Sequence, residues 1–82
     1  MGLLRGGLLQ IKELAIGVID SENTVFNASF DYIPTTLRVL VNGLDQESPA
    51  HFIELDTRSF QSVEPPIGGH DPDVVTIIYQ RA

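Results

Sequence analysis

The sequence predicts an all-β domain: a small antiparallel β-sandwich or partly open barrel of five to six strands, with an N-terminal arm. Three observations lead there. Apolar residues recur with a period of two from residue 24 onward, the mark of half-buried strands. Gly- and Pro-bearing turns separate these runs at short intervals. The length, 82 residues, suits one compact core and no second domain.

The elements follow in order. Leu9 and Ile11 alternate with Gln10 and Lys12, and after Glu13 the apolar set becomes Leu14, Ile16 and Val18. A strand with a bulge near Lys12-Glu13 explains this change of phase; a short helix over Leu8–Ala15 is the alternative. Phe26, Ala28 and Phe30 form one face of the next strand, and Leu37, Val39 and Val41 one face of another. Asn42-Gly43 ends that strand in a turn, and the residues through Pro49 read as its polar continuation. Ala50–Asp56 is a further strand, joined through Thr57-Arg58 to Ser59–Val63. Three prolines and two glycines make Glu64–Pro72 a loop. The last strand, Asp73–Gln80, is apolar on both faces and calls for cover on both sides. These readings divide the chain into an arm over 1–12 and a single β domain over 13–82.

Charge and composition narrow the function. The net charge is −6, with one lysine, Lys12, and four scattered arginines. An acidic chain repels phosphate backbones and anionic lipid, so neither nucleic acid nor membrane is expected as a partner. No stretch reaches the ~20 consecutive apolar residues of a membrane span, and the opening apolar run, closed by Lys12-Glu13, is too short for a signal peptide. Synthesis in the cytoplasm is therefore expected. There are no cysteines, so disulfides are excluded as a staple. A domain of this size buries only roughly 60–65% of its unfolded surface, which favours docking onto partners or further copies of itself.

Candidate chemistry is sparse. Nucleophilic catalysis requires a base and a group to orient it, and His51 and His70 are the only imidazoles. His51 reads as a packed or rim histidine, His70 as a turn residue. No Gly-x-Ser-x-Gly or phosphate loop is present. The carboxylate pairs Asp20/Glu22, Asp45/Glu47, Glu54/Asp56 and Asp71/Asp73 read as solvated turns and strand ends. Asp20-Ser21-Glu22-Asn23-Thr24 begins like a calcium loop, but Val25 stands where such a loop has Gly. Asn27-Ala28-Ser29 fits the glycosylation pattern by chance, inside a strand. No catalytic residue, metal site or cofactor is expected. The unusual feature is Leu3, Leu4, Leu8 and Leu9, which crowd a terminus where chains are normally polar. They are the expected partner-docking residues, set against packing on the domain's own core.

One resemblance adds to this reading. It is carried by Gly17-Val18-Ile19-Asp20, Asn23-Thr24-Val25-Phe26, Ile33-Pro34, Leu37-Arg38-Val39-Leu40-Val41-Asn42-Gly43-Leu44, Phe52-Ile53-Glu54-Leu55-Asp56, Phe60, Glu64-Pro65-Pro66 and Asp73-Val74-Val75-Thr76-Ile77-Ile78-Tyr79. This run, roughly four fifths of the chain, resembles a small β-sandwich module of tailed-bacteriophage virion proteins of head-decoration, neck or tail-fibre type. It departs at Ile67–Pro72, where the module commonly has a shorter Gly-Asp turn, and the first 16 residues fall outside it. The resemblance implies a non-enzymatic, multi-copy structural protein of the virion. Its partners would be capsid, portal or neck, or tail-fibre subunits, and further copies of itself. A host-surface module binding carbohydrate, or a ligand through calcium, is the alternative. Against it stand the absence of Trp and the presence of only Tyr32 and Tyr79 beside four Phe.

Overall fold

The computed structural model describes residues 9–82. They form a small antiparallel β-sandwich of seven strands: β1 (Leu9–Leu14), β2 (Val25–Asn27), β3 (Arg38–Val41), β4 (Leu44–Gln46), β5 (Phe52–Glu54), β6 (Ser59–Ser62) and β7 (Val75–Arg81). One sheet has the order β1-β7-β3-β4 and the other β2-β6-β5. Every strand pair is antiparallel.

Strand number exceeds the five to six expected because Leu44–Gln46 is a strand, not a turn continuation. Asn42 (φ 53°) and Gly43 (φ 85°) both take left-handed backbone. That is a two-residue hairpin turn matching strand twist, and it sends the chain straight back so that Val41 faces Leu44. Polar composition hid a strand whose pairing is set by the turn.

The first strand corrects two readings. Leu9–Leu14 is a strand, so the helix alternative falls. Its register against β7 runs unbroken from Leu9↔Arg81 to Leu14↔Thr76, with no bulge. The apolar phase changes because Glu13 occupies an inward position beside Ile77, while Leu14, Ile16 and Val18 are half or more exposed. The boundary drawn at residue 12 falls within β1, so residues 9–12 belong to the sheet.

Alternation places the core. Phe26 and Phe60 from the small sheet meet Val39, Ile77 and Tyr79 from the large one, with Ala28, Tyr32, Leu37, Phe52 and Val75 completing it. Phe26 and Phe60 stack at 5.8 Å, Phe52 meets Phe60 edge-on at 6.1 Å, and Tyr32 meets Tyr79 edge-on at 5.9 Å. β7 is a central strand. Its inner face is covered by the second sheet. On its outer face half-buried Ile78 lies between Lys12 of β1 and Arg38 of β3.

Backbone hydrogen bonds join the sheets at both ends, the second through Ile33 N–H to Gln80 and Ala82 N–H to Asp31. Ala15 N–H donates to Val75 in the large sheet, and Ile16 exchanges hydrogen bonds of 2.8 Å with Asn27 in the small one. At the other end Tyr32 N–H donates to Thr57, and the Tyr32 hydroxyl donates between the carbonyls of Asp56 (2.6 Å) and Ser59 (2.9 Å). The far sides of β4 and β5 have no strand partner among the described residues.

Candidate docking surface

Of the four leucines expected to dock a partner, Leu3, Leu4 and Leu8 lie outside the described residues. Leu9 begins β1, opposite Arg81, and is 51% exposed. Close by, the Arg81 guanidinium lies 4.0 Å over the Phe30 ring.

Two apolar surfaces were not singled out from the sequence. The first is the outer face of the small sheet. Val25 and Ile53 flank Gln61 in register, and alternation puts Leu55 and Val63 on the same side. All four aliphatic residues are 40–57% exposed. Burial of Phe26, Phe52 and Phe60 turns these neighbours outward, because successive side chains point to opposite faces. Leu14 at the end of β1 and Ile16 and Val18 in the β1–β2 link are exposed as well. The signal was present in the sequence as the aliphatic residues Val25 and Ile53 that alternate with the phenylalanines, but alternation alone does not say which set faces water.

The second surface is a hollow of about 390 Å³ between the ends of β3 and β4, the 50–51 turn and the chain that leaves β6. Val41, Ala50, Val63, Pro65, Pro66 and Ile67 supply its apolar wall, with Glu64 and Asp73 among its polar lining. The Glu64 carboxylate has no hydrogen-bond or ion-pair partner among the described residues. Asp73 is engaged: its carboxylate accepts from Ile67 N–H and Asn42 Nδ2, both at 2.8 Å. These bonds, from Ile67 first and then Asn42, hold its pKa below the usual carboxylate value.

The candidate catalytic groups do not converge. His51 accepts from Glu47 N–H at 3.0 Å through Nδ1 and is exposed in its turn; His70 is exposed in the 67–72 loop. The strongest polar cluster is Glu13, which accepts from Ser29 Oγ (2.6 Å), Ser29 N–H (2.9 Å) and the Tyr79 hydroxyl (2.6 Å). Burial raises the Glu13 pKa, but these hydrogen bonds outweigh it and hold it below the usual value. A carboxylate so stabilised is a weak base, and its three hydrogen bonds, two from Ser29 and one from Tyr79, brace β1 against β7 and the chain after β2. The Tyr79 hydroxyl is pushed up to about 12, by burial first and then by its bond to Glu13.

Four further carboxylates serve local structure. Asp20 accepts from Asn23 and Glu22 N–H and Asp56 from Arg58 and Ser59 N–H, and each is thereby held low. Asp45 pairs with Arg38 at 2.8 Å and Asp31 with Arg58 at 3.0 Å, all on the surface. Among the described residues no three acidic or imidazole groups gather as a cation site. Tyr32 and Tyr79 are at most 1% exposed, so neither ring is a platform for sugar stacking. The arrangement is suited to protein contact through aliphatic surface. The chain matches no protein-family model, no curated protein and no solved structure.

Proposed function

We propose that this chain is a non-enzymatic structural component of a virus particle, present in many copies, that joins or decorates head, neck or tail-fibre parts through protein contacts. The observation that carries the contact reading is the exposed aliphatic surface. A small β-sandwich keeps Val25, Ile53, Leu55 and Val63 on one outward face while its core is already filled by ten other residues. Exposed apolar groups gathered on one face mark interaction surfaces. The resemblance of residues 17–82 to phage virion modules supplies the kind of assembly. Many weak, linked contacts then act at high effective concentration.

The test is recovery with particles. Virions produced by the genome that encodes this chain should contain it at fixed stoichiometry and keep it through high-salt washing. Its absence from purified particles, or tight glycan binding by the isolated chain on an array, would overturn the reading.

A further inference from the structure

We propose that residues 1–8 of one copy dock in the hollow beside β4, lined by Val41, Glu64 and Ile67, of a second copy, so that domains join head to tail. This rests on the assembly reading above and names one of its contacts. Three observations carry it.

The first is chemical match. Residues 1–8, Met-Gly-Leu-Leu-Arg-Gly-Gly-Leu, hold four large apolar side chains, one arginine and no acidic group. Residues 9–82 hold all eleven acidic residues against four basic ones, a net charge of −7. The hollow offers an apolar wall for leucine and, in Glu64, a carboxylate without a partner among the described residues. Arg5 facing Glu64 completes both sides.

The second is the edge. β4 ends its sheet with no strand beyond it among the described residues, and its Gln46 lines the hollow, so an extended segment entering the hollow passes beside an unpaired strand edge.

The third is reach. Leu9 lies at the Arg81 end of β7, while the hollow lies at the other end, beside Val41 and Asp73. The seven residues of β7 span about 23 Å, and three strand spacings separate β1 from β4 by about 14 Å. Eight extended residues cover at most about 29 Å. Since β1 runs away from its own start towards the hollow's end, the preceding chain must reverse before it can travel back, and a turn takes four residues. The rest is too short to reach its own hollow and fill it. A second copy meets no such limit.

The test uses full-length variants with opposite defects. Leu3→Asp combined with Leu4→Asp spoils the arm and leaves the hollow. Ile67→Lys blocks the hollow and leaves the arm; Ile67 is 62% exposed, so the fold tolerates it, and amide NMR spectra check both proteins. Sedimentation should show wild type associating to two or more copies, and each variant self-associating at least tenfold more weakly. An equimolar mixture of the two variants should form a two-copy complex that grows no further, because one arm and one hollow remain competent. Wild type that stays single up to about 1 mM, an Ile67→Lys variant that associates normally, or variants that fail to complement would each overturn the proposal. Particles that take up the Ile67→Lys chain at full occupancy would remove this contact and leave the assembly reading standing. A chain absent from particles that still associates through the hollow would do the reverse.

Discussion

Glu13 shows how a charged residue can sit on the inner side of a strand at little cost. Its carboxylate accepts three hydrogen bonds, and a hydrogen bond to a charged group contributes about 1.5–3 kcal/mol. Glu13→Ala should therefore lower unfolding free energy by about 1–3 kcal/mol in urea titration. The carboxyls of Glu13, Asp20, Asp56 and Asp73 all have lowered folded pKa values. Their contribution is fully present above the unfolded values, about 3.9–4.3, and is lost as pH falls through the folded ones. The tyrosines have the opposite sense. Tyr32, raised by burial and then by Glu54 and Asp56, and Tyr79 are both pushed up to about 12. Their contribution is complete below the unfolded value, about 10, and declines as pH rises from there through the folded value. Urea midpoints should accordingly fall at both ends of the pH range, and Tyr79→Phe should reduce the alkaline loss. In the core, Phe60 touches two other rings and has no exposure. Phe60→Ala should cost about 3–5 kcal/mol, a large part of the roughly 4–12 kcal/mol of a chain this long.

Hairpins and loops carry a second layer of constraint. The β3–β4 turn depends on positive φ at Asn42 and Gly43, and a side chain at Gly43 would force L-residue backbone into a region that costs about 1–2 kcal/mol. Gly43→Val should lower the thermal midpoint and weaken β4 pairing, visible as faster amide exchange at Leu44–Gln46. Asn42 also reaches across to β7: its Oδ1 accepts from Val74 N–H at 2.8 Å while Nδ2 donates to Asp73. The turn is thus tied to the start of the last strand. Gly68 has a different reason for being glycine. A Cβ there would lie 2.8 Å from Asp20 Cα, and Gly68 N–H donates to Ser21 Oγ at 2.9 Å. Gly68→Ala should loosen the 66–69 loop from residues 19–21 and so reshape the hollow at Ile67.

For the molecule as a whole, stability and assembly are linked. If folded copies bind one another, mass action raises apparent stability with concentration. The thermal midpoint of wild type should rise as protein concentration increases, and that of the doubly substituted Leu3/Leu4 variant should not. Substitutions on the outer face of the small sheet should leave the single domain alone: Ile53→Lys should change unfolding free energy by no more than about 0.5 kcal/mol. Any loss of particle incorporation by that variant would then report on contact, not on folding. The two surface ion pairs are exposed on both partners and should contribute little, in keeping with the usual value of about 0–1 kcal/mol.

The all-β class, the strand sites and the inward places of Phe26, Ala28, Leu37 and Val39 were legible in the chain, although Phe30, read on the same face, is 37% exposed; period-two alternation and an Asn-Gly turn are local signals that side-chain geometry imposes directly. Four things were not. The partners of each strand were open, since pairing joins residues as far apart as Leu9 and Arg81. β4 was concealed because its pairing comes from turn geometry and not from its own polar composition. The phase change at Glu13 looked like a bulge, since only the positions of Ser29 and Tyr79 make an inward carboxylate tolerable. The aliphatic outer face and the hollow could not be seen either: where both faces of a strand are apolar, alternation leaves the choice of inside to packing. In this protein the aromatic rings of Phe26, Phe52 and Phe60 took the interior and left the smaller branched residues facing out.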